Sequence, residues 1–215
     1  VAPNNMVSDA ERLAQIDRNQ YNLNVKVVTL NEIYNEFSTG NQDVGAIRNF
    51  IKYVYDNAST PEKRIKYLCL FGDGSFDYKD RVTNNTNIVP SWHAYNSFSY
   101  TSSYVSDDFY GMMDPNEGTM ANSDKLDIAV GRILADTPQR AKELVDKIAS
   151  YHVKEAYGSW RNNFVVVSDD VDQDWEGILQ ETTDKVGNEV AQSKPFMNVV
   201  KIHSDSFKQE SSAGG

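Results

Sequence analysis

Tyr67-Leu68-Cys69-Leu70-Phe71-Gly72-Asp73-Gly74-Ser75 is the stretch on which the reading of the fold turns. Its first five residues are apolar and contain no turn former, which predicts a short strand buried on both faces, as in a parallel sheet. The run stops at Gly72-Asp73-Gly74, and two further carboxylates, Asp77 and Asp80, follow. Loops leaving the carboxyl ends of such strands carry chemistry, because helices cover both faces of the sheet and leave that edge open. Gly-Asp-Gly is also what a plain turn requires, and on this segment alone the turn is the simpler reading.

Working outward, the flanking segments alternate between strand and helix patterns. Ser8 and Glu11 have capping-box spacing, which predicts a helix from Ser8 to about Asn22. Val25, Val27 and Val28 predict a β-branched strand, and residues 31–37 a short helical turn. Asp43 caps an amphipathic helix with Ile47, Phe50, Ile51 and Val54 on one side. Downstream, residues 91–106 form a long serine-rich loop with Trp92, Tyr95, Phe98, Tyr100 and Tyr104, and a loop of this length without periodicity is usually functional. Leu126–Val130 reads as a strand ending at Gly131-Arg132. Thr137-Pro138 then starts a helix that buries Ala141, Leu144, Val145, Ile148 and Tyr151. Asn163–Val167 reads as another buried strand, followed by a helix from about Trp175 to Val190 and a last strand at Val199–His203. Strands joined by helices imply an α/β fold with a parallel sheet and right-handed crossovers. The polar tail after Ser204 closes no element, and both ends of the chain read as cut.

Composition narrows the function classes. A net charge of −10 over 215 residues argues against a nucleic-acid surface, which needs a basic stripe. The acidic balance suits a calcium-binding secreted protein, and solubility explains it equally. Cys69 is the single cysteine, so no internal disulfide forms; its place within an apolar run predicts a buried packing role. No GxSxG elbow, phosphate loop or GxGxxG is present.

Acids gather at the expected strand tips: Asp73 and Asp77, Asp107 and Asp108, and Asp169, Asp170 and Asp172, with Asp114 and Asp127 around a polar excursion. Clustered carboxylates in flexible loops suit a hard cation such as calcium and would be poor zinc ligands. Taken singly, each acid is as readily a helix cap or a solvated side chain. Asp107 and Asp170 also stand as a candidate carboxylate pair for hydrolysis. The residues alone give an α/β domain with acidic strand tips.

The ordered motifs add a resemblance. YLCLFGDGSFD, then SDDFYG, then LDIAVGR with the helix TPQRAKELVDKIASY, then WRNNFVVVSDD, is similar to the gingipain-type family of cysteine peptidases. The chain most resembles the branch that contains the sortase of the type IX secretion system of Bacteroidetes. The resemblance runs from the first helix to His203 and implies a caspase-like fold of two side-by-side subdomains. Residues 1–215 would be the first subdomain, with its first strand clipped at Val1. The family's nucleophilic cysteine and its Gly-His-Gly histidine have no counterpart here, so the chain by itself is expected to be inactive. The acid that orients the histidine falls on Asp170, with Asp169 as the alternative. A structural calcium site falls on Asp73, Asp114 and Asp127.

The resemblance further implies a bacterial protein that is secreted or held at the outer-membrane surface. Its partners would be a protein or peptide substrate, the second catalytic subdomain of the same protein and components of the secretion system, with no nucleic acid. The competing reading is non-enzymatic: a calcium-stabilised α/β module whose aromatic loop binds a partner protein or a glycan. A Gly-His-Gly and a later cysteine in downstream sequence would distinguish the two.

Overall fold

A computed structural model describes residues 1–208, other than Ser97, Tyr100 and Asn122. The chain divides into two compact units, Val1–His152 and Val153–Gly215.

In the first unit, β1 (Tyr67–Phe71) pairs in parallel with a later strand, Ala129–Ile133, from Tyr67↔Ala129 to Phe71↔Ile133. Between them a short antiparallel pair forms, β2 (Trp92–His93) with β3 (Val105–Ser106), so Ala129–Ile133 is β4. β4 starts three residues later than the apolar run predicts. Asp127 N–H and Ile128 N–H both donate to Gly111 O, which ties these residues into a turn. The strand then runs through Gly131-Arg132 instead of ending there, and this brings Arg132 into the ladder.

The helices follow the sequence patterns closely. α1 (Val7–Tyr21) begins one residue before Ser8, because Asn4–Met6 already winds a 3-10 turn, and the Ser8–Glu11 box does not form. α2 (Leu30–Phe37) opens with a full capping box: Thr29 accepts from Glu32 N–H, and Glu32 accepts from Thr29 N–H at 2.8 Å. α3 (Val44–Asp56) is capped by Asp43 on Gly45 N–H at 2.7 Å. α4 (Pro138–Tyr151) is capped by Thr137 with Pro138 at its first position.

Two apolar clusters form the interior of this unit. One joins Ile33, Ile47 and Ile51 to Leu68, Leu70 and Tyr110; the other joins Met6 and Ala10 to Phe71, Ala141 and Val145. Helices thus cover both faces of β1, but unevenly. Leu68, Leu70 and Phe71 are buried, whereas Tyr67 and Cys69 are exposed. The expectation of a strand buried on both faces therefore fails at those two positions, because they border an open cleft. Cys69 is not a buried packing residue.

In the second unit, β5 (Asn163–Ser168), α5 (Gly177–Ser193) and β6 (Asn198–His203) make one strand–helix–strand turn, with β5 and β6 paired in parallel from Asn163↔Asn198 to Ser168↔His203. α5 lies close on the sheet at Gly187, where a Cβ would stand 2.9 Å from Lys201 Cε. Val166 and Ser168 are buried, while Val165 and Val167 are exposed. β5 is therefore half-buried and not the fully buried strand its sequence predicts, since within this unit α5 is the helix laid on the sheet.

Candidate functional site: the strand-tip loops

The loop after β1 is fixed by its backbone and by its own acids. Gly72 has φ +151°, and a Cβ there would lie 2.7 Å from Val89 Cγ2, so only glycine fits the exit of the strand. Asp73 accepts from Gly74 N–H at 2.9 Å and from Thr86 Oγ1 at 2.7 Å. Its carbonyl accepts from Ile88 N–H and Val89 N–H. Asp77 is buried and accepts from Val82 N–H at 2.7 Å, Lys79 N–H at 3.2 Å and Arg81 N–H. These donors, Val82 N–H foremost, hold its carboxyl below the usual carboxylate range.

Arg132 joins this loop to the next. Its side chain is 9% exposed and meets Asp107 in a two-pronged contact, Nε to Oδ2 at 2.7 Å and Nη2 to Oδ1 at 2.6 Å. It also donates to Gly72 O at 2.9 Å, Val89 O at 2.7 Å and Ser91 Oγ at 3.0 Å. The Tyr110 hydroxyl donates to Pro90 O, and burial pushes its pKa up. Asp107, a candidate for hydrolytic chemistry, is thus committed to a planar ion pair that holds structure.

The two ends of the 91–106 loop pair as β2 and β3, with Ala94 N–H donating to Tyr104 O at 3.0 Å, and the described residues between them form no strand or helix. Trp92 is buried and stacks on Phe109 with ring centroids 6.3 Å apart, while Tyr95 and Phe98 are exposed. Tyr100 lies outside the described residues, as does the tail from residue 209.

The three acids expected to hold calcium are not brought together. Asp73 lies beyond the carboxyl end of β1 and Asp127 before the amino end of the parallel β4. The five-rung ladder between them spans about 13 Å, far beyond the reach of one ion. Asp127 accepts from Met113 N–H at 2.7 Å, which places it near the exposed Asp114 but not Asp73. Among the described residues, no three His, Cys, Asp or Glu side chains converge as a metal site would require. The set Asp73, Asp114 and Asp127 does not fit a single calcium ion.

In the second unit, Asp169 and Asp170 occupy the tip of β5, with Asp169 exposed and Asp170 half-buried. Asp169 Oδ1 accepts from Asp170 N–H at 3.1 Å. Just below, Ser168 Oγ and His203 Nδ1 are 2.6 Å apart, and His203 Nε2 lies 3.7 Å from Asp184 Oδ1. The order acid–histidine–serine is that of a proton relay, but Ser168 is 4% exposed and closed to a substrate carbonyl. The arrangement is a latch across the β5 and β6 tips. Asp184 also accepts from Lys201 Nζ at 2.6 Å, and this bond, before any other influence, holds its carboxyl down.

Cys69 lacks the surroundings of a nucleophile. Desolvation by its neighbours pushes the thiol pKa up, opposite to the activation that a catalytic cysteine needs, even though the residue opens onto the cleft.

The architecture is parallel, helix-flanked α/β with polar loops at its strand tips. The sequence profile of peptidase family C25 matches residues 1–215, and the chain belongs to that family. It is similar to the crystal structure of dimeric latent PorU from Porphyromonas gingivalis, with 32% identity over 74% of this chain and a TM-score of 0.60. The match takes in 16% of that much longer chain. No curated protein matches. Family C25 is a family of cysteine peptidases.

Arg132 and the Ser168–His203 pair were not singled out by sequence. Arg132 pairs with Asp107 across 25 positions and Ser168 with His203 across 35, and no local pattern signals such a contact. The buried Asp77 does have a local signal, its carboxylate lying two to five residues before the N–H groups it accepts.

Proposed function

We propose that this chain is part of a gingipain-like cysteine endopeptidase or transpeptidase that cleaves C-terminal sorting domains from secreted proteins, and that its nucleophilic cysteine and general-base histidine lie outside residues 1–215. The observation that carries this reading is Cys69: the one cysteine of the chain lies in the middle of β1, away from the strand-tip loops, and desolvation pushes its thiol pKa up rather than down. A thiolate supplied from elsewhere attacks the peptide carbonyl, and the histidine takes up and returns the proton. Asp170 at the tip of β5 orients that imidazole and stabilises its protonated form, with Asp169 as the alternative. The 2.6 Å Ser168–His203 latch supports this by tying together the tips of β5 and β6, beside which the acid stands. The protein works at the outer-membrane surface of a bacterium alongside secretion components. Among the described residues, no helix is long and apolar enough to cross a membrane.

The test uses the full-length protein and a fusion of a reporter to a sorting domain. Asp170→Ala is expected to lower kcat for cleavage by about a thousandfold while Asp169→Ala stays near the parent rate. Normal turnover in Asp170→Ala with loss in Asp169→Ala would exchange the two roles. Normal turnover in both would remove the acid from this strand tip.

A further inference from the structure

The carboxyl end of β5 is held from β6 at two atoms of a single residue. Ser168 Oγ lies 2.6 Å from His203 Nδ1, and Ser204 Oγ donates to Ser168 O at 3.1 Å. Ser168 is the last residue of β5, and Asp169 and Asp170 follow it directly. The carbonyl that Ser204 holds belongs to the planar peptide group leading into Asp169, so the tether constrains the direction in which the chain leaves the strand. The far side of the imidazole is anchored on α5. Asp184 accepts from Lys201 Nζ at 2.6 Å and from Asn188 Nδ2 at 2.9 Å, and Lys201 Nζ also donates to Asn188 Oδ1 at 2.7 Å. The carboxylate so held stands 3.7 Å from His203 Nε2. It favours the proton on Nε2, and the Nδ1 lone pair then accepts from the Ser168 hydroxyl.

These polar groups sit on the covered face of the β5–β6 sheet. At Gly187, α5 approaches Val166, Val199 and Lys201, and strand alternation puts Ser168 and His203 on that same face. The opposite face carries Val165, Val167, Val200 and Ile202, all exposed. Aliphatic side chains thus take the open face, while a serine, a histidine and a lysine take positions beneath α5. For packing alone, apolar side chains of similar size would serve there, because replacing both partners of a buried hydrogen bond by apolar groups is nearly neutral. What the polar pair adds is direction, since a satisfied buried network specifies one arrangement of the groups it joins.

We infer that His203 and Ser168 are positioning residues for the acid at the β5 tip. His203 Nδ1 sets the rotation of the Ser168 side chain, and Ser168, held also at its carbonyl, sets the course of the chain into Asp170. Their role depends on the one proposed above for Asp170. The half-buried Asp170 is the second residue beyond Ser168, so a change in the exit direction displaces its carboxyl from the imidazole it orients. A displacement of about 1 Å in a catalytic constellation is enough to cost about a hundredfold in rate. Ser168, at 4% exposure, is itself closed to substrate and acts only through the strand tip.

The test follows kcat and KM of the full-length protein on the sorting-domain fusion. Ser168→Ala and His203→Leu are each expected to lower kcat about tenfold or more and to leave KM within about twofold of the parent. His203→Asn puts an amide in the place of Nδ1 and is expected to return kcat to within about threefold of the parent. His203→Gln reaches toward Asp184 instead and is expected to behave like His203→Leu. Both amides keep a polar group beneath α5, so this comparison stands even where His203→Leu does not fold. In an Asp170→Ala background, adding Ser168→Ala is expected to change kcat by less than about twofold, because the group it positions is already gone. Parent kcat in Ser168→Ala beside a slow Asp170→Ala would overturn the positioning role and leave the proposed function standing. Equal kcat in the Asn and Gln variants, or a full further loss in the Asp170→Ala background, would overturn it too and assign the pair to stability. Parent kcat in Asp170→Ala would overturn it as well, and Asp169→Ala then shows whether the proposed acid at this tip falls with it.

Discussion

Arg132 directs its guanidinium at one carboxylate, three carbonyls and a hydroxyl, all from a nearly closed pocket. Replacing it with Met leaves Asp107 and those carbonyls without their donor, and the expected loss is about 3–5 kcal/mol in urea unfolding. Arg132→Lys is expected to recover only part of this, because an ammonium cannot reproduce the planar two-pronged contact. Asp77 makes a pH-dependent contribution. Its carboxyl is held below the ordinary value of 3.8, so its stabilisation is complete above that pH and is lost as the pH falls through the lower folded value. Asp77→Asn is therefore expected to be less stable than the parent at pH 7, with the gap narrowing below about pH 4 in parallel thermal melts. The sequence made the acids of this region visible but not their partners. Asp73 and Asp77 read as ligand candidates because carboxylates near glycines suit a cation, yet backbone N–H groups and Thr86 already occupy them.

At the scale of elements, the helices were more legible than the strands. Asp43 and Thr137 sit where their caps were expected, since a cap is a contact within three residues. Thr137→Ala is expected to cost about 1 kcal/mol, measured by chemical denaturation. Gly72→Ala is expected to cost about 2–3 kcal/mol, because the new Cβ meets Val89 in a left-handed backbone position. Strand burial was over-read in both units. A run of apolar residues states that both faces can be covered, and the coverage itself depends on elements far away in sequence. Val165, Val167 and Cys69 are the positions where that cover is incomplete.

For the molecule as a whole, alternating strand and helix patterns were enough to give a parallel α/β class, and the ordered motifs were enough to give the family. The division at His152 into two compact units was not legible, because the polar residues that follow look like any other loop. Under the proposed function, the parent is a cysteine peptidase whose nucleophile is not Cys69. The most direct measurement is the cleavage rate of the full-length protein on a sorting-domain fusion, with Cys69→Ser set beside Ala substitutions of its other cysteines. The account predicts that Cys69→Ser cleaves at close to the parent rate and that one cysteine outside this chain is indispensable. A folded Cys69→Ser protein without activity, or cleavage by a cysteine-free protein, would contradict it.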